Sequence, residues 1–428
     1  MRLISTRSPR LRSTFLEAIQ GGTAPDGGLW MPDPIACFRD VEQLLAMDPG
    51  PRALEILGRL LCEEVGREEL AEALGDALDM PMPLVAVARR TFAFELFHGP
   101  TLAFKDVGAR VLARLLALAD RRTGSRPRTV LTATSGDTGA AAAHAFHGQP
   151  NVRVVVLYPK GRISADQERL FATLGGNVRS FAVEGSFDDC QALVKGCFQD
   201  EALVRDLALT SANSLNVARL LGQIVTYFEA ASRLWALGLK EPPVFAIPCG
   251  NFGNLTAGLL AQKMGLKVKA FVVATNANDV VPAFLEGGPW APGPSKSTLS
   301  NAMDVGDPSN WERVKALLGT DREALKRSLR WGHLDDAATR QAMGQLRAAG
   351  YRVDPHGAVA YGVLQKRLGL NELGIFLATA HPAKFRDVWR TQMNEELPLP
   401  PELQAVQGLP ILSEDLPVDL ESLKAAIR

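Results

Sequence analysis

A chain of 428 residues, 46% hydrophobic and 22% charged, has ordinary globular composition. It is long enough for two or three domains that bury their cores without disulfides or structural metals. Lys plus Arg and Asp plus Glu both number 47, so no bulk charge recruits nucleic acid or an anionic membrane, and any anion binding must be local. Five scattered cysteines (Cys37, Cys62, Cys190, Cys197, Cys249) share no ligand spacing with the six histidines and read as free thiols of a reducing compartment. No stretch approaches the ~20 apolar residues of a membrane span, so the chain reads as cytoplasmic.

Residues 1–82 predict a mainly helical region. It opens on a glycine-rich turn at residues 24–32, continues with Leu54, Leu57, Leu60 and Leu61 at helical spacing, and closes at Pro81 and Pro83. Short β-branched runs then alternate with alanine- and leucine-rich stretches of helical pattern. The runs are residues 129–132, 152–158, 244–247 and 269–274. This alternation predicts parallel sheets covered by helices, the α/β class. Residues 291–295, rich in Pro and Gly, read as an exposed loop.

Residues 97–106 place one lysine, Lys105, amid apolar residues at the start of a helix predicted over 107–119. Burial and a helix N-terminus both disfavour the ammonium, which makes such an amine nucleophilic near neutral pH. A lysine paired with neighbouring Asp106 fits the same segment. Three predicted strands run into loops of small polar residues, where open α/β sheets bind ligands. After 129–132 come Thr134, Ser135, Gly136, Asp137, Thr138 and Gly139, hydroxyls and N–H groups suited to a carboxylate or phosphate. After 244–247 come Gly250, Asn251, Phe252, Gly253 and Asn254, then a helix over 255–264. That loop is either a phosphate cradle or a plain strand-to-helix turn, and it matches neither dinucleotide-binding nor P-loop spacing. After 375–377 come Thr379, His381 and Lys384. Asn213, Ser214, Asn216 and Arg219 put amides, a hydroxyl and a guanidinium at another helix start. Such a guanidinium suits phosphate, and equally a surface ion pair.

In this order and spacing, residues 97–106, 132–139 and 250–254 resemble the threonine synthases. The resemblance runs from Ile4, Ser5, Thr6 and Arg7 through Asn276, Asn278, Asp279 and residues 300–304 to residues 380–385, nearly the whole chain. It implies the tryptophan-synthase-β-like fold of pyridoxal-phosphate enzymes (fold type II), with two open α/β domains plus a helical N-terminal region. The implied division is 1–82 for the helical region, 83–98 with 213–428 for a larger cofactor-binding domain, and 99–212 for a smaller domain carrying Lys105.

The resemblance further implies pyridoxal 5′-phosphate as cofactor, in Schiff-base linkage to Lys105. Gly250, Asn251, Phe252, Gly253 and Asn254 match its phosphate loop, and Thr379 the hydroxyl facing its pyridine nitrogen. Asp137 stands near its 3′-oxygen, where many relatives in the wider fold have asparagine. Thr134, Ser135 and Thr138 match the loop that receives a substrate α-carboxylate. Asn213, Ser214, Asn216 and Arg219 match the segment that meets a substrate phosphate, although Asn216 also suits a helix cap. The implied reaction converts O-phospho-L-homoserine and water to L-threonine and phosphate, the last step of threonine biosynthesis. It involves no metal, nucleic acid or membrane, and the longer threonine synthases imply a monomer. A dehydratase of the same fold would carry an all-glycine phosphate loop and need no Arg219. His98, Asn278 and Lys384 lie in matching stretches with no implied role.

Overall fold

The β-branched runs form the centres of two parallel sheets in the computed structural model, which describes residues 2–61, 63–124 and 126–428. Cys62 therefore lies outside the described residues. One sheet has six strands in the order Leu329–His333, Ala270–Thr275, Val244–Pro248, Gly374–Ala378, Thr91–Glu95 and Leu84–Ala88. Its neighbours are parallel except at Leu84–Ala88, an antiparallel edge strand. The other has five strands, all parallel, in the order Glu414–Leu416, Val178–Val183, Val152–Pro159, Arg128–Ala133 and Thr210–Ser211.

Side chains alternate across a strand, so each sheet presents two apolar faces when both are covered. In the larger sheet Phe245, Ile247, Phe271, Val273, Ile375 and Leu377 enter one core, while Val244, Ala246, Val272, Ala274, Phe376 and Ala378 enter another. In the smaller sheet Val130, Val154 and Val156 join the first of these cores, and Leu131, Val155, Leu157 and Phe181 form a third. One continuous core thus joins the facing sides of the two sheets. The helices Lys105–Thr123 and Ala218–Ala236 lie within it, touching at backbone distance. A Cβ at Gly108 would sit 2.8 Å from the Arg219 carbonyl oxygen, and one at Gly222 would sit 2.7 Å from that of Val107. This crossing fixes Lys105 relative to Arg219.

One expectation gains an element and another needs correcting. The N-terminal region carries helices at Phe15–Gly21, Val41–Leu45, Pro49–Leu61 and Arg67–Leu74, and also an antiparallel sheet of Arg12–Ser13, Leu3–Ser5 and Trp30–Pro32. Strands of two or three residues are too short to show a period in the sequence. The C-terminus does not stay with the larger sheet: Glu414–Leu416 pairs with residues 181–183, and the helix Leu420–Ile427 buries Leu423 and Ile427 in the core of the smaller sheet. No helix among the described residues is long and apolar enough to cross a membrane.

Candidate active site

A cavity of about 1660 Å³ opens beyond the carboxyl ends of the central strands, between the two sheets. Lys105 is half-buried in its wall at the first residue of its helix. The preceding segment is stitched to the strand Gly374–Ala378 and its continuation: Phe104 N donates to Thr379 O at 2.9 Å, and His381 N to Leu102 O at 3.0 Å. Asp106 is not the partner of Lys105. Its carboxylate reaches back to accept from Thr101 N (2.9 Å) and Thr101 Oγ1 (2.6 Å), capping the turn. Burial lowers the Lys105 amine to about 8; Asp137 opposes this, while Arg219 and Lys384 reinforce it.

The glycine loop follows the strand Val244–Pro248. Phe252 takes a left-handed backbone (φ 60°) and begins the helix Gly253–Lys263 with no side-chain cap. The first N–H groups of that helix are therefore left for a ligand. A Cβ at Gly250 would lie 2.9 Å from both Ala302 O and Met303 Cα, so only glycine lets residues 302–303 close over the loop. Asn251 Nδ2 donates to Ser214 Oγ (2.8 Å), while Asn251 Oδ1 and Asn254 Nδ2 are buried with no protein partner. Cavity-lining amides left unpaired in this way, an uncapped helix start and a lysine amine near pH 8 fit a phosphorylated aldehyde cofactor. The anion would sit on the loop and the aldehyde at Lys105.

The second loop is shaped by Thr134, whose Oγ1 accepts from Gly136 N (2.9 Å) and Gly139 N (2.8 Å). Ser135 and Thr138 stand half-buried beside it on the cavity wall. Asp137 lines the cavity too, but only Oδ2 is left for it. Oδ1 accepts from Lys384 Nζ at 2.6 Å and from Gln167 Nε2 at 3.1 Å. Burial alone would raise the Asp137 pKa; Lys384 and Lys105 outweigh it and hold the carboxyl well below its usual range.

Residues 213–219 form a third side. Asn213 Oδ1 accepts from Thr132 Oγ1 (2.6 Å), and Ser214 Oγ from Asn251 and Asn310 (3.2 Å for the latter). Arg219 is 2% exposed and donates to Ala212 O at 2.5 Å, with Nε unpartnered. Among the described residues no carboxylate lies within ion-pair distance of it, so the surface ion-pair alternative falls. Burial lowers its pKa to about 10, with Asp106 opposing.

The structure does not bring Asn216 to the cavity. Its Nδ2 donates to Ile19 O (2.9 Å) and its Oδ1 accepts from Ala218 N (3.1 Å), so it anchors the helix start to the N-terminal region. His98 also stands apart, bonded to Glu95 at 2.6 Å, and Asn278 braces the loop of Lys296 and Asp304. Lys384 has a partner that sequence spacing could not show, 247 residues away. His356 lines the cavity and was not foreseen. Its Nδ1 lies 2.6 Å from Asp354 Oδ2, and its Nε2 lies 3.1 Å from Ala302 N. Its position two residues after the cap Asp354 looks in sequence like a plain helix start. Asp304, on the same wall, is raised to about 6 by burial against bonds from Thr298 and Asn276.

Residues 87–374 match the family model of pyridoxal-phosphate-dependent enzymes, a class that this pair of sheets and a lysine in the cavity between two glycine-containing loops fit. Residues 357–427 match the threonine synthase C-terminal model. Threonine synthase of Escherichia coli strain K12 is 46% identical over 426 residues, 99% of this chain and 98% of its own length. A crystal structure of Escherichia coli threonine synthase superposes with a TM-score of 0.94 at 45% identity, covering 100% of this chain and 99% of that one. A PLP-bound threonine synthase from Brucella melitensis superposes at 0.92 with 33% identity, covering 100% and 98%. The chain belongs to the threonine synthase family.

Proposed function

We propose that this chain converts O-phospho-L-homoserine and water to L-threonine and phosphate, with pyridoxal phosphate held between Lys105 and the Gly250–Asn254 loop. The observation that carries this reading is the meeting of the low-pKa Lys105 with two candidate anion cradles and an Arg219 that, among the described residues, has no carboxylate in contact. One phosphate, the cofactor's, belongs on the glycine loop. The second, the substrate's, belongs at Arg219, Asn213 and Ser214.

Pyridoxal phosphate, when bound, supplies an electron-accepting ring that stabilises negative charge developing on the substrate carbons. Thr379, a neutral hydroxyl residue on the cavity wall, would face the ring nitrogen without protonating it as an aspartate would, which keeps that sink mild. Ser135, Thr138 and the N–H groups at the start of the helix Asp137–Phe146 orient the substrate carboxylate. Lys105 would carry the cofactor's aldehyde, and as a free amine its pKa is near 8. It takes the α-proton and serves the later proton transfers at Cβ and Cγ. Arg219 stabilises the phosphate leaving Cγ, and water adds at Cβ. The two sheet bodies, residues 99–212 with the C-terminal strand and helix and the larger remainder, would close on the substrate and exclude bulk water. The described cysteines, Cys37, Cys190, Cys197 and Cys249, are free thiols, which fits a reducing compartment such as the cytoplasm, and the chain is taken to act as a monomer.

The test is stoichiometric release of phosphate and threonine from O-phospho-L-homoserine by the purified protein. Deamination of threonine or serine to an oxoacid, with no phosphate released, would place the chain among dehydratases instead.

A further inference from the structure

We propose that Lys384 is a positioning residue of this site: it turns Asp137 so that Oδ1 is held inward and Oδ2 is presented to the cavity as an anion beside Lys105. The proposal rests on the reading of Lys105 as the cofactor-bearing lysine.

Lys384 sits on the short turn Pro382–Phe385 after the strand Gly374–Ala378, and its side chain is fully buried. Its Nζ makes two contacts, Asp137 Oδ1 at 2.6 Å and Thr101 O at 2.9 Å. Thr101 is the residue that Asp106 fixes ahead of Lys105, so one ammonium ties the Lys105 turn to the Asp137 loop. The turn that carries Lys384 is itself held, since Ser164 Oγ donates to the Lys384 carbonyl at 3.3 Å. Gln167 completes the grip on Oδ1 from the other side. A neutral asparagine at 137 would need no such partner. A buried aspartate does, because an unpaired carboxylate inside a protein either takes up a proton or moves to water. The lysine and the aspartate therefore form one unit.

The charges around the Lys105 nitrogen are Asp137, Arg219 and Lys384, and Asp137 is faced in addition by His356. Their signs give the pair opposite effects on a proton at that nitrogen. The Asp137 anion favours the protonated form, and the Lys384 cation disfavours it. Loss of the Lys384 cation by itself would therefore raise the proton affinity, so a fall on its removal can come only through the Asp137 anion that it holds.

Four holoenzymes separate the two cases: Lys384→Met, Lys384→Arg, Asp137→Asn and the double variant D137N/K384M. The readouts are the pH midpoint at which the absorbance of the bound cofactor titrates, and kcat and KM for O-phosphohomoserine across pH. Lys384→Met and Asp137→Asn should both move the midpoint to lower pH, by about one unit, a tenfold change in proton affinity. Lys384→Arg should stay close to wild type, and adding Lys384→Met to the Asp137→Asn background should lower the midpoint no further, because the anion is already gone. A Lys384→Met midpoint that moves upward, as loss of a cation alone requires, or a variant that lowers only the melting temperature, overturns the proposal. If Lys384→Met does not fold, Lys384→Gln is read in its place by the same rule. Borohydride fixation identifies the lysine in every variant. Cofactor fixed on another lysine sinks the Lys105 reading and this proposal with it, whereas fixation on Lys105 with unmoved midpoints sinks the role of Lys384 alone.

Discussion

Replacing Arg219 by alanine should separate stability from function. Arg219 is 2% exposed and, among the described residues, forms no ion pair, although Asp106 acts on it through space. Burial lowers its pKa from 12.5 to about 10. A base whose folded-state pKa lies below its unfolded one costs stability at every pH below the folded value and regains it between the two. At neutral pH that cost is on the order of 3 kcal/mol. Alanine removes it, but also removes the donor to Ala212 O, about 1 kcal/mol, and leaves a cavity worth about 2 kcal/mol. The terms nearly cancel, so the melting temperature should move by no more than about 3 °C. Function should not be spared. A buried charge-assisted contact to phosphate is worth about 1.5–3 kcal/mol, so kcat/KM for O-phosphohomoserine should fall roughly 10- to 150-fold. Inhibition by inorganic phosphate should weaken in parallel, while binding of an unphosphorylated amino acid to the cofactor should barely change. Calorimetry with a coupled phosphate assay measures both halves. Normal phosphohomoserine kinetics and normal phosphate inhibition would refute the assignment, and a collapse in melting temperature would refute the stability argument.

Lys105→Ala should lose the borohydride-fixed cofactor yet retain a weaker, reversible affinity, because the Gly250–Asn254 loop still binds the anion; mass spectrometry after reduction reads this directly. Cofactor capture by the apoenzyme should accelerate about tenfold per pH unit and level off near pH 8, where the Lys105 amine becomes the free base; a rate flat down to pH 6 in stopped-flow absorbance would contradict the lowered pKa. Gly250→Ala puts a Cβ 2.9 Å from two backbone atoms, Ala302 O and Met303 Cα, that cannot swing away as a side chain would. It should cost about 1–3 kcal/mol and weaken cofactor binding about tenfold in a fluorescence titration, whereas an unchanged Kd would mean residues 302–303 do not press on the loop.

How much the sequence disclosed follows from the range of each interaction. Val152–Pro159 and Val244–Pro248 are readable because β-branched residues concentrate in strands buried on both faces. Lys105 is readable because its apolar flank and the following helix are local. Glu414–Leu416 is not, since a three-residue strand with two charges owes its place to residues 181–183 and to the anchoring of Leu423 and Ile427. Asn216 misleads because its neighbours in the chain do line the cavity, while its own amide turns inward to Ile19. Lys384 with Asp137, and His356 with Ala302, are pairings of distant segments that exist only once the sheets have met.

The electrostatics of the site explain how a chain with 47 positive and 47 negative side chains can still select anions. Lys105, Arg219 and Lys384 converge near one fully ionised carboxylate, Asp137, and that carboxylate is shared between Lys384 and Lys105. Asp106 and Asp304, raised to about 6 by burial, still carry charge near neutral pH, but their oxygens are engaged by Thr101 and by Thr298 with Asn276, and neither is in contact with Arg219. A buried cation with no carboxylate in contact is unfavourable, and among the described residues Arg219 is in that state, with Asp106 acting on it only through space. An arriving phosphate supplies the missing charge, so part of its binding free energy is relief of a cost already present in the fold. Pairing Arg219 with a carboxylate would make the protein more comfortable and the site worse. The same reasoning accounts for Asp137 needing Lys384: without that cation, the only positive charge left to hold the aspartate would be Lys105, whose amine must stay free to react.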